Sequence, residues 1–273
     1  MVRISLLISL GALVLACHPA SPRARSPVIT NIVVGVSDSG ITAPDTIVAG
    51  WTRVQLVPRR PHNHNVVVFR LPPEMTATAF ARAMDTAAAT IAGAVALGGP
   101  EMPPPEADTS AMLLHLTPGR YLLGCVLTHA DHHRHLLTGE MRWLEVVAGP
   151  DAVPDSSVTP TDSVTLVDFA VGVAETLTPG PHRLVLVNAG TQDHHLVVER
   201  LRPGKSLADW VASTDTAGVS QGLGGATRIS PGQAETWEVS LTPGIYVFFC
   251  LVPERTSRKP HAELGMIRQI TVD

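Results

Sequence analysis

Apolar and polar positions along this chain alternate in short runs separated by Pro-Gly turns, the period of strands and not of helices. Tyr246-Val-Phe-Phe-Cys250 reads as a strand; after a charged, proline-containing loop the chain returns with Ile267, Gln269 and Thr271 on one face and Met266, Arg268, Ile270 and Val272 on the other. Leu184–Asn188 and Leu196–Glu199 read as two further strands broken by 189–193. Thr178-Pro-Gly-Pro181, Ser230-Pro-Gly232 and Thr242-Pro-Gly244 supply turns at the spacing of an antiparallel sandwich. Two stretches depart from this period. The Ala-rich segment Thr76–Leu97 reads as helix, and Ser206-Leu-Ala-Asp209 has the form of a helix-opening capping box.

The pattern also repeats. His64-Asn-Val-Val-Val-Phe-Arg-Leu71 matches His194-His-Leu-Val-Val-Glu-Arg-Leu201 at a spacing of 130, and Leu116-Thr-Pro-Gly-Arg-Tyr121 matches Leu241-Thr-Pro-Gly-Ile-Tyr246 at a spacing of 125. Cys125 and Cys250, and Met141 and Met266, fall at the second spacing. Two copies of one unit therefore lie in tandem. The expected fold class is all-β: two Greek-key β-sandwich domains, each with a helical insertion. Residues 30–148 form domain 1, the Pro- and Ser/Thr-rich stretch 149–161 a linker, and 162–273 domain 2.

The start of the chain changes where such a protein would work. Arg3 precedes the apolar run Ile4–Leu15, so residues 1–16 read as a signal peptide, too short to span a bilayer comfortably. Val14-Leu15-Ala16-Cys17 resembles a bacterial lipobox, which implies lipidation at Cys17, and the Pro-rich stretch 17–29 reads as a tether. The expectation is an exported, membrane-anchored lipoprotein facing the periplasm or cell exterior. A net charge of −4 gives no reason to expect nucleic acid as a partner.

The candidate chemistry sits at the C-terminal strand, loop and strand. Cys250 and His261 are spaced C-x10-H, and His261 and Met266 H-x4-M. A thiol, an imidazole and a thioether are donors that suit copper cycling between two oxidation states, with a further His owed by an earlier strand. A disulfide between Cys125 and Cys250 is the competing use of the thiols in an oxidising compartment, though equivalent places in separate copies make a bridge a geometric accident. The segment Val187–Val198 and the segment Tyr246–Val272, with its Tyr-x-Phe-x-Cys approach and Gly265-Met266 pair, resemble the plastocyanin-like cupredoxins. The resemblance covers nearly all of copy 2 and most of copy 1. It implies a type 1 (blue) copper site of His194, Cys250, His261 and Met266. Position 195 holds His where the family commonly has Asn, as copy 1 has Asn65, so His195 competes with His194 for the ligand role. In copy 1 the counterpart is degenerate: His64, Cys125 and Met141 are in place, Leu136 stands in register with His261, and His135 is the nearest imidazole. Around it His129, His132, His133 and His135 make a His-rich loop able to hold zinc or copper loosely.

The resemblance implies copper-binding electron transfer with an unidentified redox partner protein, copper in domain 2 and a less complete second site in domain 1. The alternative is a metal-free or copper-storing binding module of the same fold. A two-domain copper oxidase or nitrite reductase fits less well. Those enzymes place a His beside the Cys to bridge to a catalytic metal, whereas here Cys125 lies between Gly124 and Val126 and Cys250 between Phe249 and Leu251. No enzyme activity is expected.

Overall fold

The computed structural model describes residues 28–59, 63–86, 93–130, 132–149 and 158–273; the proposed signal peptide, Cys17 and most of the 149–161 stretch lie outside the described residues. The first half runs β1 (Thr30–Ser37), β2 (Gly40–Thr42), β3 (Thr46–Val48), β4 (Gly50–Pro58), β5 (Val67–Arg70), α1 (Ala77–Thr86), β6 (Val95–Ala96), β7 (Ser110–Leu116), β8 (Gly119–Gly124) and β9 (Met141–Val147). The second half repeats that order as β10 (Asp162–Val167), β11 (Ala170–Gly172), β12 (Thr176–Leu177), β13 (Gly180–Asn188), β14 (His194–Leu201), α2 (Leu207–Ala212), β15 (Ser220–Ile229), β16 (Ala234–Leu241), β17 (Gly244–Phe249) and β18 (Ile267–Val272). The all-β class and the tandem sandwiches expected from the sequence are what the fold contains.

Strand β17 explains why its sequence is apolar without alternation. Tyr246 and Phe248 point into the inner core, while Val247 and Phe249 on the opposite face pack against Trp210 of α2. Both faces are dry, so both select apolar residues. The helix owes its start to the expected capping box: the Ser206 hydroxyl accepts the Asp209 N–H, and the Asp209 carboxylate accepts the Ser206 N–H. In the first half α1 covers the matching face of β8, with Phe80 and Met84 against Leu122. The helix expected over Thr76–Leu97 is shorter than that. Residues 94–97 are extended, because Val95 and Ala96 pair with Arg70 and Phe69 on the edge of a sheet, and this pairing overrides the helical preference of alanine. The repeated Leu-Thr-Pro-Gly-x-Tyr motifs are corner locks: the Tyr121 and Tyr246 hydroxyls each donate, at 2.8 Å, to the carbonyl of Thr117 and Thr242.

Two five-stranded sheets, β3-β9-β8-β5-β6 and β12-β18-β17-β14-β15, each face one half of a continuous eight-stranded sheet, β11-β10-β13-β16-β7-β4-β1-β2. The halves therefore join at β16–β7, through Thr236 and Leu113, with the Arg53 and Glu238 side chains paired across the seam. A second seam pairs residues 96–101 with 225–230. Ser230 N–H donates to Ala96 O (2.8 Å), Thr227 N–H to Gly99 O (2.9 Å) and Glu101 N–H to Gly225 O (3.2 Å). These backbone groups are paired only while both halves are present. A fragment of residues 160–273, which the repeat suggests as an independent folding unit, would bare both edges and is expected to fold but self-associate. Sedimentation of the fragment checks this; a stable monomer would mean that the seams carry little of the chain's cohesion.

Candidate metal centres

In each half the strand after the turn, the cysteine at the end of its neighbour and a short 3-10 turn meet at one end of the sandwich. In the second half Cys250 follows β17 and His261 opens the turn His261–Leu264, with His194 the first residue of β14. The turn is tied back by three bonds: Cys250 N–H to Met266 O (3.2 Å), His261 N–H to Val252 O (3.0 Å) and Met266 N–H to His261 O (2.9 Å). Gly265, at φ 109°, ends the turn in a conformation that glycine alone adopts without strain.

His194, Cys250 and His261 are all buried, and their donor atoms lie within 4.8 Å of one another. The Nδ1 atoms of His194 and His261 face each other at 3.0 Å, and Cys250 Sγ is 3.5 Å from His261 Nδ1. Met266, also fully buried, lies beside Cys250 through its backbone. Behind His194, Nε2 is 3.1 Å from Asp168 Oδ1. A carboxylate holding the outer nitrogen fixes ring and tautomer and leaves Nδ1 as a lone-pair donor aimed inward, the arrangement of a metal-ligating histidine. Burial raises the pKa of Asp168, but the Thr191 hydroxyl, the Thr191 and Gln192 amides and His194 outweigh it, so the group stays ionised. Burial lowers His194 and, together with the nearby His194 ring, brings His261 down to about 4. Both rings are thus neutral donors at physiological pH. Burial pushes the Cys250 thiol up to about 12, against the N–H bonds it accepts from His195 and Val252. Such a thiol is inert on its own and ionises only beside a cation. Two imidazole nitrogens facing one buried pocket with a sulfur fit a soft or borderline metal ion.

The structure separates His194 from His195. The His195 ring turns away from the cluster, and its Nε2 accepts the Leu251 N–H. Asn65 does the same in the first half, where Oδ1 accepts the Val126 N–H at 3.2 Å. His195 is therefore a clamp on the strand end carrying Cys250, in the place that Asn65 holds in the first half. His261 is fully buried, with the Phe169 ring set edge-on at 5.3 Å.

In the first half His64, Cys125 and His135 come together in the same way, but Met141 does not join them. Cys125 N–H donates to Glu140 O (3.1 Å), Glu140 N–H to His135 O (3.2 Å) and Met141 N–H to Gly139 O (2.7 Å). These bonds match those of Cys250, Met266 and Ile267, so Glu140 holds the place of Met266 and Met141 that of Ile267. The loop after Cys125 is one residue shorter than the loop after Cys250. That deletion brings His135, not Leu136, into register with His261. Left-handed Gly139, at φ 102°, marks the register as Gly265 does. Met141 instead packs with the cluster under α1, and Leu136 is buried there. Of the His-rich loop, His135 alone enters the site. His129 stacks on it with ring centres 4.0 Å apart, and His133 bonds to Asp85 at 3.0 Å.

Sequence reading missed Glu140, Asp168 and Asp38; the last lies 3.4 Å from His64 Nε2 as Asp168 lies behind His194. The two aspartates are 130 residues apart, the spacing of His64 and His194, which was the signal available. The reading also missed Glu101, a buried carboxylate from the second seam. Its Oε1 accepts Asn65 Nδ2 at 3.4 Å, and its Oε2 lies 4.0 Å from His195 Nδ1, so it stands between the two clamps. The thiols do not form a disulfide: Cys125 and Cys250 are free and buried.

No protein-family model matches the chain, and no curated protein matches it. Solved structures are similar at low identity. Dithionite-reduced auracyanin from the photosynthetic bacterium Roseiflexus castenholzii is 22% identical over 41% of this chain and 94% of its own, with a TM-score of 0.30. Auracyanin B is 20% identical over 46% and 96%, with a TM-score of 0.28. A copper nitrite reductase from Nitrosomonas europaea is 14% identical over 90% of this chain and 94% of its own, with a TM-score of 0.27. Likeness at this level leaves the chemistry of the site to its own residues.

Proposed function

We propose that this protein is a copper-binding electron carrier whose redox centre is held by His194, Cys250, His261 and Met266 in the second half. The observation that carries this reading is the fully buried convergence of two inward imidazole nitrogens and a thiol, with Asp168 fixing the outer nitrogen of His194. Copper in such a set supplies a reversible one-electron couple, and a thiolate, two imidazoles and a weak thioether are the donors that suit it. The chain's own contribution is rigidity and exclusion of water. Backbone bonds hold the turn, the His195 ring clamps Leu251, and Phe169 covers His261, so the buried donors lie out of a substrate's reach. Neither Cys125 nor Cys250 has a neighbouring His to lead to a catalytic metal. We read the protein as a carrier and not an enzyme, with an unidentified redox partner protein. Leu251, exposed beside Cys250, offers a short route to the surface. Metal analysis with a visible spectrum tests this: one copper per chain with strong visible absorption is expected, and colourless, weakly bound metal would return the protein to the binding-module reading.

The same reading places the protein outside the cytoplasm, tethered through acylated Cys17. Among the described residues no helix is long and apolar enough to cross a membrane. Cys17→Ser is expected to release the protein from the membrane fraction or to block its processing; unchanged membrane attachment of the variant would refute the anchor.

A further inference from the structure

We infer that the first-half cluster, His64, Cys125, His135 and Glu140, is a site for a redox-inert divalent cation, zinc by its donor set, and not a second copy of the copper centre. All four side chains are buried, and one donor atom from each lies within 4.8 Å of the others. Glu140 Oε2 is 3.0 Å from His64 Nδ1 and 2.9 Å from His135 Nδ1, and Cys125 Sγ is 3.5 Å from His135 Nδ1. One sulfur, two nitrogens and one carboxylate oxygen, each on a different turn or strand end, are the four ligands of a closed zinc site. Asp38 behind His64 adds the outer carboxylate that orients a metal-bound imidazole.

The contrast with the second half rests on one position. Where that half has the uncharged thioether of Met266, this one has the carboxylate of Glu140. A thiolate and a carboxylate together cancel a charge of +2, so a divalent ion leaves this dry pocket neutral. Reducing such an ion to +1 would leave a net negative charge in a buried site, which is costly. A carboxylate is also a hard donor that favours divalent over monovalent ions. The second half, with one anionic donor, is neutral with a monovalent ion and singly positive with a divalent one, so it tolerates both. On loading, the Cys125 thiol gives its proton to solvent, since a metal-bound cysteine is a thiolate, and no electron moves.

The inference rests partly on the copper reading of the second half, so the test is made in a Cys250→Ser background, where that centre is disabled. Protein of this background, grown with zinc and copper both supplied, is expected to hold one zinc per chain without strong visible colour. Adding Cys125→Ser should remove the metal, and Glu140→Gln should weaken zinc retention against a chelator at least tenfold. Adding Glu140→Met instead should shift the site to copper and bring visible colour, a gain that a misfolded protein cannot produce. Circular dichroism confirms that each variant is folded. Copper with strong colour in the Cys250→Ser protein would overturn the inference, as would a folded protein with no stoichiometric metal, in which the cluster is only a hydrogen-bonded Glu-His group. Zinc that survives Cys125→Ser would place the ion on the exposed histidine loop and also overturn it. Failure of the copper reading appears separately, as wild-type protein with no more copper than the Cys250→Ser protein.

Discussion

Cys250→Ser is expected to abolish strong visible absorption while leaving the fold intact. The thiolate is the ligand that gives a copper site its colour and its strongest bond. The pocket then keeps two imidazoles and a buried hydroxyl, which does not ionise. Removing an outer-shell partner of a ligand costs roughly 10- to 100-fold in metal affinity, and loss of the thiolate itself should exceed that. The fold should survive because serine fits where Cys250 was, with the His195 N–H, 3.4 Å from Sγ, remaining as a donor. The other positions grade below it. His194→Ala and His261→Ala open a coordination position and should weaken or alter copper binding, whereas Met266→Leu should retain copper and colour with a raised potential, since it removes only the weak axial donor. His195→Asn, which restores the residue of the first half, should leave the site nearly unchanged. Copper content and the visible spectrum across this series decide the matter. If His195→Ala and not His194→Ala empties the site, His195 is the ligand and the clamp assignment fails; if none of the four ligand changes alters copper content, the second half is not a copper domain.

Much of this was legible because strands and repeats are written locally. The alternation in Ile267–Val272, the Pro-Gly turns and the paired Leu-Thr-Pro-Gly-x-Tyr motifs each report a contact within a few residues. Cys250 and His261 were legible for the same reason, since one strand end and one turn carry them. The first-half site was misread by one position because a single deletion in a loop leaves no trace in hydrophobic pattern, and Met141 looked like the repeat of Met266. The glycine pair, Gly139 and Gly265, held the correct register. The choice between His194 and His195 depended on which way a side chain turns at the start of β14, where the ladder to β15 is irregular. The seams between the halves were not legible at all. Residues 96–101 and 225–230 meet through backbone groups, which every residue but proline offers alike.

Those seams explain two buried acids that the metal chemistry does not use, and the second large effect is expected there. Glu235 of β16 is buried at the interface; its Oε2 accepts the Gly99 N–H at 2.8 Å, while Oε1 has no hydrogen-bond partner among the described residues. Gly98 accommodates it, since a Cβ there would come within 2.3 Å of the carboxylate. Burial raises the pKa of Glu235 well above that of a free glutamate, and the nearby Glu101, itself raised by burial, adds to the effect. A carboxyl whose proton is held more tightly in the folded state contributes stability below its unfolded value, near 4.5, and loses it as pH rises towards its folded value. Each such group costs up to about 1.4 kcal/mol per pH unit across that window. Glu235→Gln keeps an acceptor for Gly99 N–H and removes the ionisation. The variant is expected to unfold at a higher temperature than wild type at neutral pH, by about 2–4 °C for each kcal/mol recovered, and to show a flatter dependence between pH 5.5 and 8. The measurement is thermal unfolding of chelator-treated protein, so that proton competition for a bound metal does not enter; His261, titrating near 4, lies below the window. Parallel curves for wild type and variant would mean that Glu235 is ionised at no cost in the folded protein, and that the seam admits enough water to solvate it.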